Sequence, residues 1–333
     1  MVPIAPSTTT TRSASAAARD ADCGATVRGA TTSEPTGAAG HRPARTLGVV
    51  PSREDLPTLS SPVVVGAFEG WNDAGDAATG AVEHLELIWD ARPLVALDPD
   101  DYYDFQVNRP TVSLVDGITR RLSWPTTRIS LCRPAGADRD VLLMRGIEPN
   151  MRWRGFCDEI LAVLAELDVQ SIVLLGALLA DAPHTRPVPV TGSAYDAASA
   201  ARFALEQSRY EGPTGIVGAL QDAAVRTGLP SITFWAALPH YISQPPNPKA
   251  TVALLQRVEE AIEIRVPLAG LPEQTVDWQR MVDDMAAEDS EVSEYVKRLE
   301  EKAGAADLAH TSGESIAREF ERYLRHRGPA EPT

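Results

Sequence analysis

From residue 63 to residue 264, short apolar runs of strand length alternate with stretches of helical periodicity. This alternation constrains the fold more than any other feature, because it predicts a sheet covered by helices on both faces. Val63-Val-Val-Gly-Ala-Phe68 reads as the first strand and Ala74–Trp89 as the first helix. Pro93–Leu97 follows, then Thr111–Val115 and Arg120–Trp124 around Asp116-Gly117, a strong hairpin signal. Arg128–Cys132 and Val141–Arg145 read as strands, and Met151–Leu167 as a helix with Phe156, Ile160, Val163, Leu164 and Leu167 on one face. Ser171–Leu178 has the character of a buried strand. Ala197–Glu206 reads as a helix, Gly215–Leu220 and Ser231–Ala237 as the last core strands, and Lys249–Ile264 as the closing helix.

The expected organisation has three parts. Residues 1–46 are Ala, Ser, Thr, Gly and Arg with almost no large apolar side chain, so this arm is expected to stay disordered. It has no continuous apolar core of the kind a signal peptide needs; a targeting arm or an upstream start-codon assignment would explain it, the second being slightly preferred. Residues 47–265 form the α/β core, and 266–327 a helical region. There Thr275–Ala287, Glu291–Ala303 and Glu314–Arg325 are charged helices, with Val292, Tyr295, Val296 and Leu299 making one narrow apolar stripe. Such a stripe must dock, either on the main domain or on another subunit.

Charge and cysteine usage exclude several classes. The chain carries 31 Lys+Arg against 46 Asp+Glu, a formal net charge of −15, which opposes a sequence-independent grip on nucleic acid or on an anionic membrane. No apolar run approaches the ~20 residues that span a bilayer. Cys23, Cys132 and Cys157 give neither a disulfide framework nor a zinc knuckle, and a cytoplasmic protein is the simplest expectation. Cys132 and Cys157 read as core residues. No metal site and no cofactor is expected. There is no phosphate-cradling Gly-rich loop, no His-Glu-x-x-His, and no nucleophile elbow at Gly192-Ser193-Ala194.

The candidate site residues lie where strands end, the usual position of ligand sites in open α/β sheets. Glu69 and His184 are the candidate catalytic groups. Asp73, Asp104, Arg109, Glu148 and Arg186 are the candidate ligand-binding groups. Clustered carboxylates can separate into a general acid and a base, with Glu69 the better placed. Asn72 and Asp73 serve equally well as caps of the following helix. Arg109 could clamp a carboxylate or phosphate, or pair with Asp104. Glu148 could contact a ligand, or be an N-terminal acid of the helix that begins near Trp153. In Asp181-Ala-Pro-His-Thr-Arg-Pro187, His184 suits acid–base work, but the same stiff segment suits a structural or inter-subunit loop. His240 and Tyr241 fall on the same edge if Ser231–Ala237 runs parallel.

Several segments, taken together, resemble one known family. They are Glu69-Gly-Trp-Asn-Asp-Ala-Gly-Asp-Ala-Ala78, Tyr103-Asp-Phe-Gln-Val-Asn-Arg-Pro110, Gly146-Ile-Glu-Pro-Asn-Met-Arg-Trp153, Gly176-Ala-Leu-Leu-Ala-Asp-Ala-Pro-His-Thr-Arg-Pro187 and Pro246-Asn-Pro-Lys-Ala-Thr251. The resemblance is to the proteasome assembly chaperone family, the one named for the second chaperone, in its actinobacterial branch. It covers roughly residues 50–325. It implies a three-layer α/β fold with a mostly parallel or mixed central sheet like that of nucleoside phosphorylases, a helical C-terminal extension and a homotrimer. It implies no established reaction. Eukaryotic members dock through a C-terminal hydrophobic-Tyr-any tripeptide, which Gly328-Pro-Ala-Glu-Pro-Thr333 does not match, so docking by that route is not expected.

Two functional readings remain. One is a non-catalytic oligomeric scaffold or assembly chaperone with a protein client. The other is a phosphorylase- or hydrolase-like enzyme acting on a small anionic or nucleoside-like compound.

Overall fold

A computed structural model describes residues 56–205, 210–242 and 244–310. The expected arm 1–46 and the expected helix Glu314–Arg325 lie outside the described residues. Seven strands make one mixed sheet: β1 (Val63–Glu69), β2 (Arg92–Ala96), β5 (Arg128–Cys132), β6 (Val141–Ile147), β7 (Ser171–Ala180), β8 (Val190–Ala194) and β9 (Ser231–Pro239). Their order is β2-β5-β6-β1-β7-β9-β8. The central four, β6, β1, β7 and β9, run parallel, and β5, β2 and β8 are antiparallel to their neighbours.

Both faces are covered, which makes three layers. On β1, Val63, Val65 and Ala67 face one core with α1 (Ala77–Ile88) and α5 (Pro248–Ile262). Val64 and Phe68 face the other, with α2 (Trp153–Glu166) and α4 (Ile216–Thr227). Strict alternation on a strand buried on both sides requires an unbroken apolar run, and Val63–Phe68 supplies it.

Three local differences from the sequence reading are informative. Gly215–Leu220, expected as a strand, is instead the start of α4, where Ile216, Leu220, Ala223 and Ala224 form one buried face. A short apolar run fits either period; the face continuing past Leu220 makes it a helix. Val190–Ala194 is an additional edge strand that its Thr, Gly and Ser content concealed. α3 (Ala197–Arg202) is shorter than the expected helix, ending in a cap at Phe203.

The hairpin β3 (Thr111–Val115) and β4 (Thr119–Ser123) forms at Asp116-Gly117, but as a separate two-stranded ribbon. C-terminal to the core, α6 (Leu271–Glu288) and α7 (Ser290–His310) follow without intervening strands. Trp278 and Val282 of α6 are buried with Ile242. The predicted stripe of α7 turns inward, with Val296 and Leu299 buried, so it covers its own chain. No described helix is long and apolar enough to cross a membrane.

Candidate functional site

Because β6, β1, β7 and β9 are parallel, Glu69, Glu148, the Asp181–Arg186 loop and Tyr241 all sit beyond strand carboxyl ends on one rim. The loop after β1 ties this rim together. Glu148 N donates to Glu69 O at 2.9 Å, and Ala177 N to Asn72 O at 2.7 Å. Gly75 must be glycine: its φ is +60°, and a Cβ there would lie 2.9 Å from Leu238. Asn247 N, at the start of α5, donates to Gly75 O at 2.9 Å.

Asp73 is buried and acts as a cap. Its Oδ1 accepts from Ala78 N at 2.7 Å and Thr79 N at 3.2 Å, and its carboxylate also takes the Thr79 hydroxyl. Burial nevertheless pushes its carboxyl up to about 6, with those bonds pulling the other way. Asn72, also buried, donates from Nδ2 to Glu148 Oε1 at 2.6 Å. The same Glu148 oxygen accepts Ile216 N at 2.8 Å. Glu148 therefore caps α4 rather than α2, the helix that sequence proximity suggested. Gly215 is packed on the Asn72 amide, where a Cβ would collide. Asp104 closes a turn, accepting Gln106 N at 2.8 Å, while Asn150 Oδ1 accepts Asp104 N at 2.8 Å.

The rim divides into two working regions. In the first, Glu69 and Arg109 line one cavity of about 230 Å³ together with Arg128, Arg145 and Glu86. Arg145 is held by Glu86, whose Oε2 accepts Nε at 3.0 Å and Nη2 at 2.8 Å. Partial burial raises the Glu69 carboxyl above its ordinary range and Arg145 opposes that rise; the side chain still reaches solvent. Arg109 forms no ion pair with Asp104 or with any other described residue. Phe105 and Trp124 pack edge-to-face nearby, with centroids 4.8 Å apart.

His184 belongs to the second region, outside this cavity. It is only 3 % exposed. The Tyr241 hydroxyl accepts His184 N at 2.8 Å and lies 2.7 Å from Nδ1. Asp283 Oδ1 on α6 lies 3.0 Å from Nε2. The network fixes the tautomer: Tyr241 donates to Nδ1 and Nε2–H donates to Asp283. Burial holds the ring below its ordinary pKa, with Asp283 pulling upward. Lys249 on α5 donates to His184 O and, at 2.8 Å, to Gln279 Oε1 on α6. Along the same loop, Thr185 Oγ1 donates to Glu300 Oε1 at 2.5 Å, Arg186 Nη2 to Glu300 O at 3.4 Å, and Tyr295 to Asp181 at 2.8 Å. Every polar residue of the loop thus engages α6 or α7. Sequence reasoning missed Asp283, Gln279 and Glu300, because on charged helices such residues look like a solvated face; Tyr295 was read only as part of the apolar stripe of α7.

Cys132 and Cys157 are buried, and burial raises both thiols. Among the described residues, no group of three His, Cys, Asp or Glu side chains is placed to hold a metal ion.

The PAC2 family profile matches residues 67–286, which include the carboxyl end of β1, the whole rim and most of α6. The chain belongs to the PAC2 family. A proteasome-assembly chaperone homologue from Mycobacterium tuberculosis is 63 % identical over 70 % of this chain and 99 % of its own, with a TM-score of 0.66. A PAC2 family protein from Streptomyces avermitilis is 59 % identical over 71 % of this chain and 99 % of its own, with a TM-score of 0.68. An archaeal proteasome activator from Pyrococcus furiosus shares the fold at 14 % identity, covering 69 % of this chain and 95 % of its own at a TM-score of 0.56. A comparison with proteins of curated function found no match. PAC2 membership accounts for the strand-end motifs as a set, and it supplies no reaction for them.

Proposed function

We propose that this chain is an assembly chaperone: a cytoplasmic, non-catalytic, oligomeric scaffold that captures a protein client. Proteasome subunits are the first client to test, given the relative from Mycobacterium tuberculosis described as a proteasome-assembly chaperone homologue. One observation carries this reading. His184, the histidine best placed for chemistry, is buried and has both ring nitrogens engaged, Nδ1 with Tyr241 and Nε2 with Asp283 of α6. The rim loop therefore serves as a clasp for the C-terminal helices. Held in this way, α6 turns Met281 and Met285, one helical turn apart, outward beside Asp277, Asp284 and Glu288. An exposed methionine pair flanked by charge on a fixed helix suits a protein partner.

Self-association is assigned to the β3–β4 ribbon. Val112 pairs with Leu122 and Leu114 with Arg120, so one ribbon face carries three apolar side chains beside Arg120, and Val112 and Leu114 are 59 % and 63 % exposed. An isolated two-stranded ribbon is marginal in water, which supports its being covered in a homo-oligomer, a trimer on this reading. The enzyme reading has weaker support, because Glu69 and Arg109 share a cavity from which His184 is absent.

Unassembled actinobacterial proteasome α and β subunits, mixed with and without the protein, provide the test. Faster formation of core particles on native gels, or a complex with one subunit type, is expected. Assembly at an unchanged rate with no complex would contradict the proposal.

A further inference from the structure

We infer that the cavity beyond β1 and β6 is a binding site for a small organic anion, with a carboxylate or phosphate at one end and a hydroxyl or amino donor at the other. The inference does not depend on the chaperone reading, since no part of it involves α6, α7 or the ribbon face.

Charge is the first support. Arg109, Arg128 and Arg145 line this one cavity in a chain whose net charge is −15. Glu86 neutralises Arg145 through two hydrogen bonds. Arg109 and Arg128 have no ion-pair partner among the described residues. Two guanidinium groups without an ion-pair partner, lining one half-open cavity, repel each other, and an anion between them reverses the sign of that interaction. A guanidinium presents planar paired donors that match a carboxylate or phosphate, in charge-assisted bonds about twice as strong as neutral ones.

Glu69 supplies the second support. It lines the same cavity, and a carboxylate there would repel a plain anion. A ligand with a hydroxyl or amino group gives that carboxylate a donor, so the site discriminates between a bare anion and a substituted one. Trp124, Pro125 and Ile147 line it as well and can pack against a short carbon stem.

Size favours a small ligand. At about 230 Å³ the cavity falls below the ~300–1,000 Å³ typical of drug-sized ligand sites. Small hydroxylated or aminated acids and phosphate monoesters fit this size better than a nucleoside does.

Isothermal titration of the full chain with inorganic phosphate, glycerol 3-phosphate and glycerate tests the inference and separates the two anion types. Saturable one-to-one binding is expected for glycerol 3-phosphate or for glycerate. The double variant Arg109→Gln/Arg128→Gln should weaken it roughly tenfold or more. Both side chains are exposed, so the unfolding temperature of the ligand-free double variant should match the parent. Glu69→Ala should weaken the hydroxylated probes while leaving inorganic phosphate equal or tighter. Absence of saturable binding for all three probes, or unchanged affinity in the double variant, overturns the site. Equal binding of inorganic phosphate and the hydroxylated probes, indifferent to Glu69→Ala, overturns the donor end of the ligand.

Discussion

His184 Nε2 donates to Asp283 Oδ1 across 3.0 Å, joining the loop after a central strand to a helix 99 residues further along the chain. Gln279 Nε2 donates to the same oxygen at 3.1 Å, and Lys249 bridges Gln279 to the His184 carbonyl. A sheet edge, α5 and α6 therefore share one polar network, buried at His184 and reaching solvent at Asp283. Such networks specify one arrangement when fully satisfied and are costly when broken.

Replacing His184 with Ala should destabilise the protein by about 2–4 kcal/mol, combining lost packing with unpartnered Tyr241 and Asp283 groups. Hydrogen exchange should rise in α6 and α7 before it rises in the central strands. Uniform loosening of the whole sheet would show that the histidine is not specific to the clasp.

The same residue sets a pH dependence. Its folded pKa lies below the ordinary value of 6.5, so the unfolded chain takes up the proton first as pH falls. Stability is complete above 6.5 and is lost as pH drops from there to the folded value. Thermal unfolding followed between roughly pH 7.5 and 5 should show this slope in the parent and lose it in His184→Gln. An identical slope in both proteins would assign it elsewhere.

Asp73 works in the opposite direction. Its carboxyl is raised from 3.8 to about 6. Its protonated form is the native preference, and that contribution is lost as pH rises through about 6. Asp73→Asn keeps an acceptor for Ala78 and Thr79 without the buried charge, so above pH 6 it should equal or exceed the parent in stability. Asp73→Ala should cost about 1–2 kcal/mol by removing the cap. Equal destabilisation by both variants at neutral pH would contradict the assignment.

Some of this was legible in the residues and some was not. Val63–Phe68 and Ser171–Leu178 could be read because strands buried on both faces need continuous apolar runs, and Asp116-Gly117 because few other pairs suit a tight hairpin. Gly215–Leu220 is apolar over too short a run to separate the strand period from the helical one, and the cap that starts α4 comes from Glu148, 68 residues away. The shared rim for Glu69, Glu148 and His184 followed from parallel strands. What divides that rim is long-range. His184 finds its partner on α6 and Glu69 finds its neighbours on β5 and the ribbon, and nothing local in either motif encodes those contacts.

Glu148 carries a prediction of its own. Removing its carboxylate leaves Ile216 N and Asn72 Nδ2 without their shared acceptor. Glu148→Ala should lower stability by about 1–3 kcal/mol, and Glu148→Gln by less, in denaturant unfolding. Indistinguishable midpoints for all three proteins would remove the cap from the account.

For the ribbon, Leu114→Asp with Leu122→Asp should convert the proposed oligomer to monomers in light scattering while leaving the circular dichroism spectrum unchanged. Both side chains are already exposed within one chain, so the substitutions act on assembly rather than on folding. A parent protein that is itself monomeric, or a variant with the parent's mass, would remove the ribbon from the interface.

On the proposed chaperone reading the clasp fixes the outer face of α6 for a client, and hydrogen exchange measured with and without unassembled proteasome α subunits addresses that claim most directly. Protection is expected at Val276–Glu288 on adding the subunits, and it should disappear in Met281→Asp/Met285→Asp. Protection confined to other elements, or unchanged exchange throughout the chain, would contradict the account.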